Sequence, residues 1–260
     1  MIKTVFALAS LATVAGLPAQ AADLGSPDYP AQVESTPFNW SGFYAGVNAG
    51  YAFGGDGDVN SSGQLGPNIA NIATGARPGS IELDRNGFIG GAQIGYNWQT
   101  GRYVYGLEAD ISFADVNDTG NFVTPQINTG LAQGNVFKSE LDYLGTVRAR
   151  AGYAFDRTLV YGTGGLAFGR TTQSVDMFAP TGVKQFTDEK EETKFGYAVG
   201  AGAEYAITQH LTFKTEYLYY DLGSESLDVS AIAGTGVVGG YNSKFENDGH
   251  ILRVGINYKF

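Results

Sequence analysis

Residues 103–113 read Tyr-Val-Tyr-Gly-Leu-Glu-Ala-Asp-Ile-Ser-Phe. Its odd-numbered positions are apolar or aromatic, whereas its even-numbered positions include Glu108 and Asp110. An alternation with a period of two predicts a β-strand whose two faces meet different surroundings. The stretch therefore predicts a strand with one apolar face and one face that carries charge.

The same alternation recurs in seven further segments, which brings the number of predicted strands to eight. In the fifth strand along the chain, residues 159–169, glycine is so frequent that the two faces cannot be assigned. In the other strands the apolar rows contain no Asp, Glu, Lys or Arg, although 16% of the chain is charged. The remaining segments are residues 42–54, 88–98, 141–155, 195–207, 211–219 and 250–260.

The opposite rows carry charges of both signs in equal number, interspersed with Gly and Asn. Counting from the strand ends, we expect Glu108 to lie level with Arg150, and Asp110 with Arg148. We also expect Glu204 to face Lys214, and Glu216 to lie near Arg253. Because enclosed charges are costly unless matched, this pattern predicts a paired network inside a narrow lumen and apolar rows that face lipid. The network consists of Glu108, Asp110, Arg148, Arg150, Glu204, Lys214, Glu216 and Arg253.

The connections between the strands fall into two length classes. Tight turns cover residues 99–102, 156–157 and 208–210, and aromatic residues near the strand ends supply candidate interfacial girdles. This alternation is typical of outer-membrane barrels, whose short turns face the periplasm and whose long loops face outward. The predicted fold is all-β: an eight-stranded antiparallel transmembrane β-barrel with short periplasmic turns and four long extracellular loops. The loops are residues 55–86, 114–140, 171–193 and 223–247.

The first residues predict export. Lys3, an apolar run from Val5 to Leu17 and small residues ending at Ala21 form a signal-peptide pattern over residues 1–22. Residues 23–41 contain three prolines and predict a periplasmic arm, so the barrel is assigned to residues 42–260. The absence of cysteine excludes thiolate chemistry, and a net charge of −10 argues against nucleic acid as a partner.

Five short motifs resemble those of a known family. They are Trp40-Ser-Gly-Phe-Tyr-Ala-Gly46, Gly90-Gly-Ala-Gln-Ile-Gly-Tyr-Asn-Trp98, Val147-Arg-Ala-Arg-Ala-Gly-Tyr153, Tyr161-Gly-Thr-Gly-Gly-Leu-Ala-Phe-Gly169 and Arg253-Val-Gly-Ile-Asn-Tyr-Lys-Phe260. Together and in this order, they resemble the small major outer-membrane proteins of alphaproteobacteria. That group includes Brucella surface antigens, the RopB-type proteins of rhizobia and the hemin-binding proteins of Bartonella. The resemblance covers essentially the whole chain.

The resemblance implies an eight-stranded barrel that the barrel-assembly machinery inserts into the outer membrane of a Gram-negative cell. That machinery reads a terminal aromatic residue preceded by alternating hydrophobic residues, a pattern that Val254, Ile256, Tyr258 and Phe260 fit. The family offers no catalytic residue to transfer onto this chain.

We therefore expect an integral outer-membrane structural and surface protein, without enzymatic activity, cofactor or bound metal. It would support envelope integrity and meet the host or the environment. The expected partners are outer-membrane lipids, host surface molecules and lipopolysaccharide, whose phosphates the acidic long loops would meet through divalent cations. Two alternatives stay open: a small-solute pore, suggested by glycine-rich lumen rows, and a hemin-binding surface protein using His250 and Tyr241, as the hemin-binding relatives suggest.

Two weaker patterns concern a calcium loop and a serine–histidine combination. Asp56, Asp58 and Asn60 have the spacing of a calcium loop, but Ser61 stands where such a loop needs Gly and Pro67 where it needs Glu. A solvated acidic loop is the simpler interpretation.

Ser226 or Ser243 could approach His250 as a nucleophile approaches its base, yet nothing in their spacing supports catalysis.

Overall fold

The computed structural model describes residues 38–55, 58–125 and 130–260. The predicted signal peptide and residues 23–37 of the predicted arm lie outside the described residues. Within them, no helix is long and apolar enough to cross a bilayer. The elements are β1 (Gly42–Phe53), β2 (Asp58–Gly63), α1 (Gly66–Ala73), β3 (Ser80–Glu82), β4 (Asn86–Thr100), β5 (Tyr103–Pro125), β6 (Ala132–Phe155), β7 (Thr158–Phe178), β8 (Lys184–Ala206), β9 (Leu211–Ala231) and β10 (Gly240–Lys259).

Eight of the described strands close into an antiparallel ring, as predicted. Their order is β1-β4-β5-β6-β7-β8-β9-β10, and β10 pairs back onto β1 from Lys259↔Tyr44 to His250↔Phe53. Closure leaves the ring without an edge, so most of its backbone groups are paired within the sheet. Strands β2 and β3 stand outside the ring and extend the sheet from the upper part of β10.

The strands continue far beyond the predicted boundaries. Those from β5 to β10 run for 20 to 24 residues, about twice the 9–11 residues that cross a bilayer. The predicted loops 114–140, 171–193 and 223–247 are therefore wrong as loops, because most of their residues form hairpins. The segment 55–86 likewise contains β2, α1 and β3. We call the two ends of the ring the short-turn end and the long-hairpin end.

The strands are longer than predicted because the polarity of their two faces inverts along the hairpins. Phe137, Val175 and Leu227 point inward and are fully buried, while Lys138 and Glu140 lie on the outer side. The alternation thus continues, but with the apolar residues inside, as in a water-soluble β-protein. The sequence prediction followed the apolar rows of the lipid-facing side, so it ended the strands where those rows end.

A bulge in β6 corrects one predicted face. The register shifts between Leu141 and Tyr143 in the β6–β7 ladder. Because a bulge inserts an extra residue and moves the following side chains to the other face, Leu141 is buried inside the ring, not exposed in the outer row.

The outer face toward the short-turn end is apolar. Phe43, Phe88, Phe113 and Phe195 are each more than 60% exposed, which a water-soluble protein avoids over so large a contiguous area. On β7, whose faces the sequence could not assign, the structure places Leu166 outward. This belt is the surface that meets lipid.

The interior is filled in layers. At the short-turn end, Phe38 and Trp40 are buried in an apolar layer, although they belong to the predicted arm. The Trp40 backbone N–H donates to Gln99 Oε1 at 2.7 Å, which ties this segment to the turn between β4 and β5. A charged layer follows, then two apolar layers toward the long-hairpin end. The apolar layer next to the charges includes Leu144, Leu218, Tyr220 and Ile251. The apolar layer farther toward the hairpin tips includes Phe137, Met177, Phe186, Leu227 and Phe245.

One ladder is interrupted. Pairing between β8 and β9 stops at Thr187↔Ser230 and resumes at Tyr197↔Asp221. Residues 188–196 and 222–229 face one another across this β8–β9 gap, and ion pairs from Lys190 and Lys194 to Glu225 bridge it. Side chains therefore hold the wall together where backbone hydrogen bonds do not.

Candidate functional site

The charged layer of the lumen is the most distinctive site in the described residues. It contains all the charged residues predicted for the network, and each is at most 7% exposed. Period-two alternation aims them inward from five ring strands, because residues two apart on a strand share a face. The layer consists of Glu108 and Asp110 on β5, Arg148 and Arg150 on β6, Glu204 on β8, Lys214 and Glu216 on β9, and Arg253 on β10.

Arg148 lies at the centre of the layer. Its guanidinium donates to Glu108 Oε1 at 2.8 Å, to Asp110 Oδ2 at 3.0 Å and to Glu216 Oε1 at 3.3 Å. Its Nε also donates to Thr146 Oγ1 at 2.8 Å. A planar, permanently charged group with five donors suits such a site, since it can join several carboxylates at once.

Ion pairs span the full width of the lumen. Strands β5 and β9 are four positions apart in the ring of eight and therefore lie opposite one another. Nevertheless Lys214 Nζ donates to Glu108 Oε1 at 2.9 Å and to its Oε2 at 3.0 Å. From β10, Arg253 donates to Asp110 Oδ1 at 2.9 Å and to Glu216 Oε2 at 2.7 Å. Ion pairs thus join opposite walls of the lumen at this level.

Two of the predicted pairings are displaced by two residues in the register, although their side chains still meet: Arg148 donates to Asp110 at 3.0 Å, and Arg150 lies 3.7 Å from Glu108. Glu108 lies opposite Arg148 in the register, and Asp110 lies opposite Thr146, because Tyr103 pairs with Tyr153 and not with the terminal Phe155. Counting from the strand ends ignored this two-residue stagger, which arises because barrel strands are tilted and sheared.

The two remaining pairings divide differently. Glu216 lies opposite Arg253, as predicted. Glu204 also lies opposite Lys214 in the register, but the Lys214 ammonium crosses the lumen to Glu108. Glu204 instead accepts from Arg150 at 2.8 Å, so adjacent positions on a ladder did not determine which charges meet.

Tyrosines complete the network, and the sequence analysis missed them. The Tyr44 hydroxyl donates to Glu108 Oε2 at 2.8 Å and accepts from Arg150 at 3.0 Å. Tyr161 donates to Glu216 Oε1 at 2.9 Å, and its ring centre lies 4.0 Å from the Arg150 guanidinium carbon. Tyr44 stood in the polar row of its strand, which was a usable signal. Tyr161 stood in the strand without assignable faces and gave none.

A chain of amides extends the layer to the rest of the ring. Asn48 donates to Gln93 at 2.5 Å, Gln93 to Asn257 at 2.7 Å, and Asn257 to Glu204 Oε1 at 2.8 Å. These residues come from β1, β4 and β10, which contribute few of the charges. The polar layer thus covers the cross-section, and most of its donors and acceptors pair with one another, Arg150 Nε being an exception.

Glycines of the lumen rows make room for these side chains. A side chain at Gly95 would meet the Tyr44 hydroxyl, and one at Gly202 would meet the Tyr161 hydroxyl. The glycine-rich rows suggested a pore from sequence, but in the structure the space they leave is occupied.

The two histidines lie away from the charged layer, and His250 is not beside either serine considered as its nucleophile. His250 Nδ1 is 2.7 Å from the Tyr217 hydroxyl, and the imidazole ring stacks on the Tyr217 ring at the outer face of the barrel. Ser243 is buried and bonded to Ser61 at 2.8 Å. Tyr241 is fully buried nine residues from His250, which is roughly 30 Å along an extended strand. Ser226 lies opposite Lys244 in the β9–β10 ladder, six positions along the strand from His250. The structure therefore does not bring His250 together with the serines considered for catalysis or with the tyrosine considered for hemin.

The residues considered for calcium do not form a loop. Asp56 lies outside the described residues, while Asp58 and Asn60 belong to the extended strand β2. Oxygens of a strand point away in a row and do not converge on one point. In the part of the chain that the structure describes, no group of three or more His, Asp or Glu side chains is placed to hold a metal ion.

The candidate assembly signal lies on one face of the last strand. Val254, Ile256 and Tyr258 are each about half exposed on the apolar belt, and Phe260 follows the strand end at 73% exposure. The row is thus presented outward, where a partner or lipid can contact it.

Comparisons with known proteins agree with this architecture. A family model described as "Outer membrane protein beta-barrel domain" matches residues 7–260. The 31 kDa outer-membrane immunogenic protein of Brucella melitensis is 39% identical over 262 residues, covering 97% of this chain and 98% of that protein. The 22 kDa outer membrane protein of Rhizobium leguminosarum is 31% identical over 186 residues, covering 70% and 72%.

Solved structures share the fold. OprG of Pseudomonas aeruginosa superposes with a TM-score of 0.52 at 15% identity, covering 85% of this chain and 96% of OprG. The outer membrane protease OmpT of Escherichia coli has a TM-score of 0.50 at 12% identity, covering 87% and 99%. At these identities the likeness concerns the fold alone.

Proposed function

The chain belongs to the outer-membrane β-barrel family, and from this premise we propose that it is a closed barrel whose role is structural. The protein lies in the outer membrane and is a surface protein. Its long-hairpin end is the extracellular one, since short turns face the periplasm in this class. The proposed role is to support the envelope and to present the hairpins to the surroundings, without passing solutes.

The charged layer carries this proposal. Its charged side chains, four of each sign, form ion pairs across the lumen from β5 to β9 and β10. We therefore expect no continuous polar path for water. An eight-stranded ring is only wide enough for side chains to fill it. A small solute would have to break buried ion pairs, and each uncompensated charge would cost about 3–5 kcal/mol.

Apolar layers on both sides support the same conclusion. Phe38 and Trp40 fill the short-turn end, and Leu144 and Leu218 lie beyond the charges. A conducting pore needs polar walls along its length, as larger porins have. Here a solute would meet two further apolar layers beyond the charges.

We further propose that the protein is not an enzyme. Every carboxylate of the charged layer is occupied by cations, and both histidines contact aromatic rings or backbone. Catalysis needs a base within reach of a nucleophile in a cleft that substrate can enter. The protease activity named for OmpT belongs to that protein.

The hairpin surface supports the partners we propose for this protein. The relatives of this chain in Brucella are named immunogenic outer-membrane proteins. From that name we propose that host molecules also recognise the surface of this protein. Glu189, Glu191 and Glu192 on β8 are exposed. Glu191 also pairs with Arg170 and Glu192 with Lys190, and the acidic cluster as a whole favours divalent cations shared with lipopolysaccharide phosphates. Neutralising all three to Gln should abolish the difference in membrane permeability before and after chelation.

We also propose that the barrel-assembly machinery inserts the protein, because the C-terminal row of Val254, Ile256, Tyr258 and Phe260 is exposed.

Single-channel conductance tests the closed barrel. The mature chain is refolded into a planar bilayer, together with Arg148→Ala and Glu216→Ala, which loosen the layer. Arg170→Ala is the matched control, because Arg170 is a half-exposed arginine on the outer face. Circular dichroism establishes that each variant retains its strands.

We expect silence from the wild type and from Arg170→Ala, with conductance in the two lumen variants. Steady wild-type openings would refute the proposal and favour the pore. Silence of folded lumen variants would show that the apolar layers, not the charges, close the barrel.

A further inference from the structure

A second polar region lies at the long-hairpin end, far from the charged layer. The segment from β2 to β3, residues 58–82, folds against the tips of the hairpins, and we call it the cap segment. Between the cap segment and the hairpins is a cavity of about 260 Å³. It is lined by Pro67, Asn68, Asn71, Arg77, Gln133, Gln185, Phe186, Gly236, Val237 and Val238.

Arg77 is the only charged residue that lines this cavity among the described residues, and it is 2% exposed. Its guanidinium donates to Asn135 Oδ1 at 2.8 Å, Gln185 Oε1 at 3.0 Å, and the carbonyl oxygens of Phe178 at 3.1 Å and Gly134 at 3.3 Å. All four acceptors are neutral. In the described part of the chain, no carboxylate forms an ion pair with Arg77.

This arrangement contrasts with the charged layer, where each buried cation meets at least one carboxylate. A buried charge without a counter-ion is costly, so its retention in a cavity calls for an explanation. Burial lowers the pKa of Arg77, and the nearby Tyr241 hydroxyl opposes that shift. The cavity thus holds a positive charge whose natural complement is an anion.

The neighbouring amides add hydrogen-bonding capacity. Gln185 uses its oxygen for Arg77, and the structure gives its Nε2 no partner among the described residues. Asn71 and Gln133 use their nitrogens, on the Tyr241 hydroxyl and the Ala76 carbonyl, which leaves their oxygens as acceptors. The buried Asn68 Oδ1 has no hydrogen-bond partner either. The site combines one cation with several neutral donors and acceptors.

We propose that this cavity binds a small hydroxylated carboxylate, a sugar acid of monosaccharide size, with its carboxylate near Arg77. Hydroxyl groups both donate and accept, which matches the amide atoms left open, whereas a bare inorganic anion would satisfy only Arg77. The volume is slightly below the range of about 300–1,000 Å³ typical of ligand pockets, so it suits one sugar ring and not an oligosaccharide. Val238, 63% exposed, lies on the solvent side.

Binding is measured by titration calorimetry and saturation-transfer NMR on the full refolded mature chain in detergent. The probes are D-glucuronate, D-glucose of the same ring size without the carboxylate, and inorganic phosphate. Arg77→Gln removes the charge, and Val238→Trp fills the cavity while leaving Arg77 and its partners in place. Arg170→Gln, on the outer face, is the matched control for loss of one arginine.

We expect D-glucuronate to bind the wild type and Arg170→Gln, with at least about tenfold weaker binding of glucose, because a charge-assisted hydrogen bond is lost. Arg77→Gln and Val238→Trp should each weaken glucuronate binding by about tenfold or more. Absence of glucuronate binding at 10 mM, equal binding of glucose, or phosphate binding without glucuronate binding would overturn the proposal. Undiminished binding by Val238→Trp would do the same, even if Arg77→Gln failed to fold. Conductance does not enter these outcomes, so they are independent of the closed-barrel proposal.

Discussion

Replacing Lys214 by Met tests the energetic basis of the charged layer. The Lys214 side chain is fully buried, and among the described residues its only ion-pair partner is Glu108, on the opposite side of the lumen. Methionine keeps most of the apolar stem and removes the charge. Glu108 would still accept from Arg148 at 2.8 Å, with Arg150 at 3.7 Å, so its own charge stays partly compensated.

The reverse change leaves a worse defect. In Glu108→Gln the Lys214 ammonium has no carboxylate of the described residues within 4.0 Å, and only the more distant Glu216 still attracts its buried charge. Breaking a buried pair costs about 3–5 kcal/mol, so we expect the lower end of this range for Lys214→Met and the upper end for Glu108→Gln. The double variant should regain about 2 kcal/mol relative to the sum of the single changes, since neither charge is then orphaned.

The free energy of unfolding is measured by urea titration in lipid vesicles, with tryptophan fluorescence as the signal. Trp40 is buried in the lumen and Trp98 lies on the apolar belt, so both report on barrel opening. The control cycle uses Lys138→Met and Glu140→Gln, an exposed pair at 2.7 Å on the outer face. There we expect a coupling free energy below about 1 kcal/mol.

The reasoning would be refuted if the lumen cycle gave the same coupling as the exposed control cycle. Such a result would mean that water enters the layer and screens its charges. It would also remove the main support for a closed lumen.

Two further predictions concern the wall and assembly. Burial raises the pKa of Glu225, but hydrogen bonds from Lys190 and Lys194 outweigh this and lower the pKa from 4.5 to about 2. The stabilising contribution is therefore complete above about pH 4.5 and is lost as the pH falls toward 2, so hydrogen exchange across the β8–β9 gap should accelerate only in that acidic range. Glu225→Gln should accelerate it already at pH 7, and unchanged exchange there would contradict the role of the bridge. Deleting Phe260 should lower the amount of folded protein in the outer membrane several-fold without affecting refolding in detergent, as measured by fractionation; equal amounts in the membrane would exclude an assembly signal at this residue.

Much of the barrel was predictable because its alternation is local. Residues 103–113 identify a strand and its two faces, since a side chain's face depends only on whether its position is odd or even. The eight-strand count follows from repeating that pattern. The boundaries did not follow, because beyond the lipid belt Phe137 and Leu227 occupy the inner face and the polarity pattern inverts.

The chemistry of the charged layer was likewise only half visible in the sequence. The balance of charges could be read directly, and so could the inward direction of Glu108, Arg148 and the others. The bulge beside Leu141 and the buried Tyr161 depend on contacts between strands and have no local signature. The Arg77 cavity is of the same kind, since it joins the cap segment to hairpins that are distant along the chain.

The sequence by itself determined that this chain is a membrane barrel with matched charges inside it. Periodicity and composition suffice for that, because each strand must satisfy lipid on one face and a narrow lumen on the other. Only the tertiary structure decided which charges meet. Strand tilt displaced the register by two residues, and Lys214 crossed from β9 to Glu108 on β5 because closure of the ring brings opposite walls within reach of one side chain.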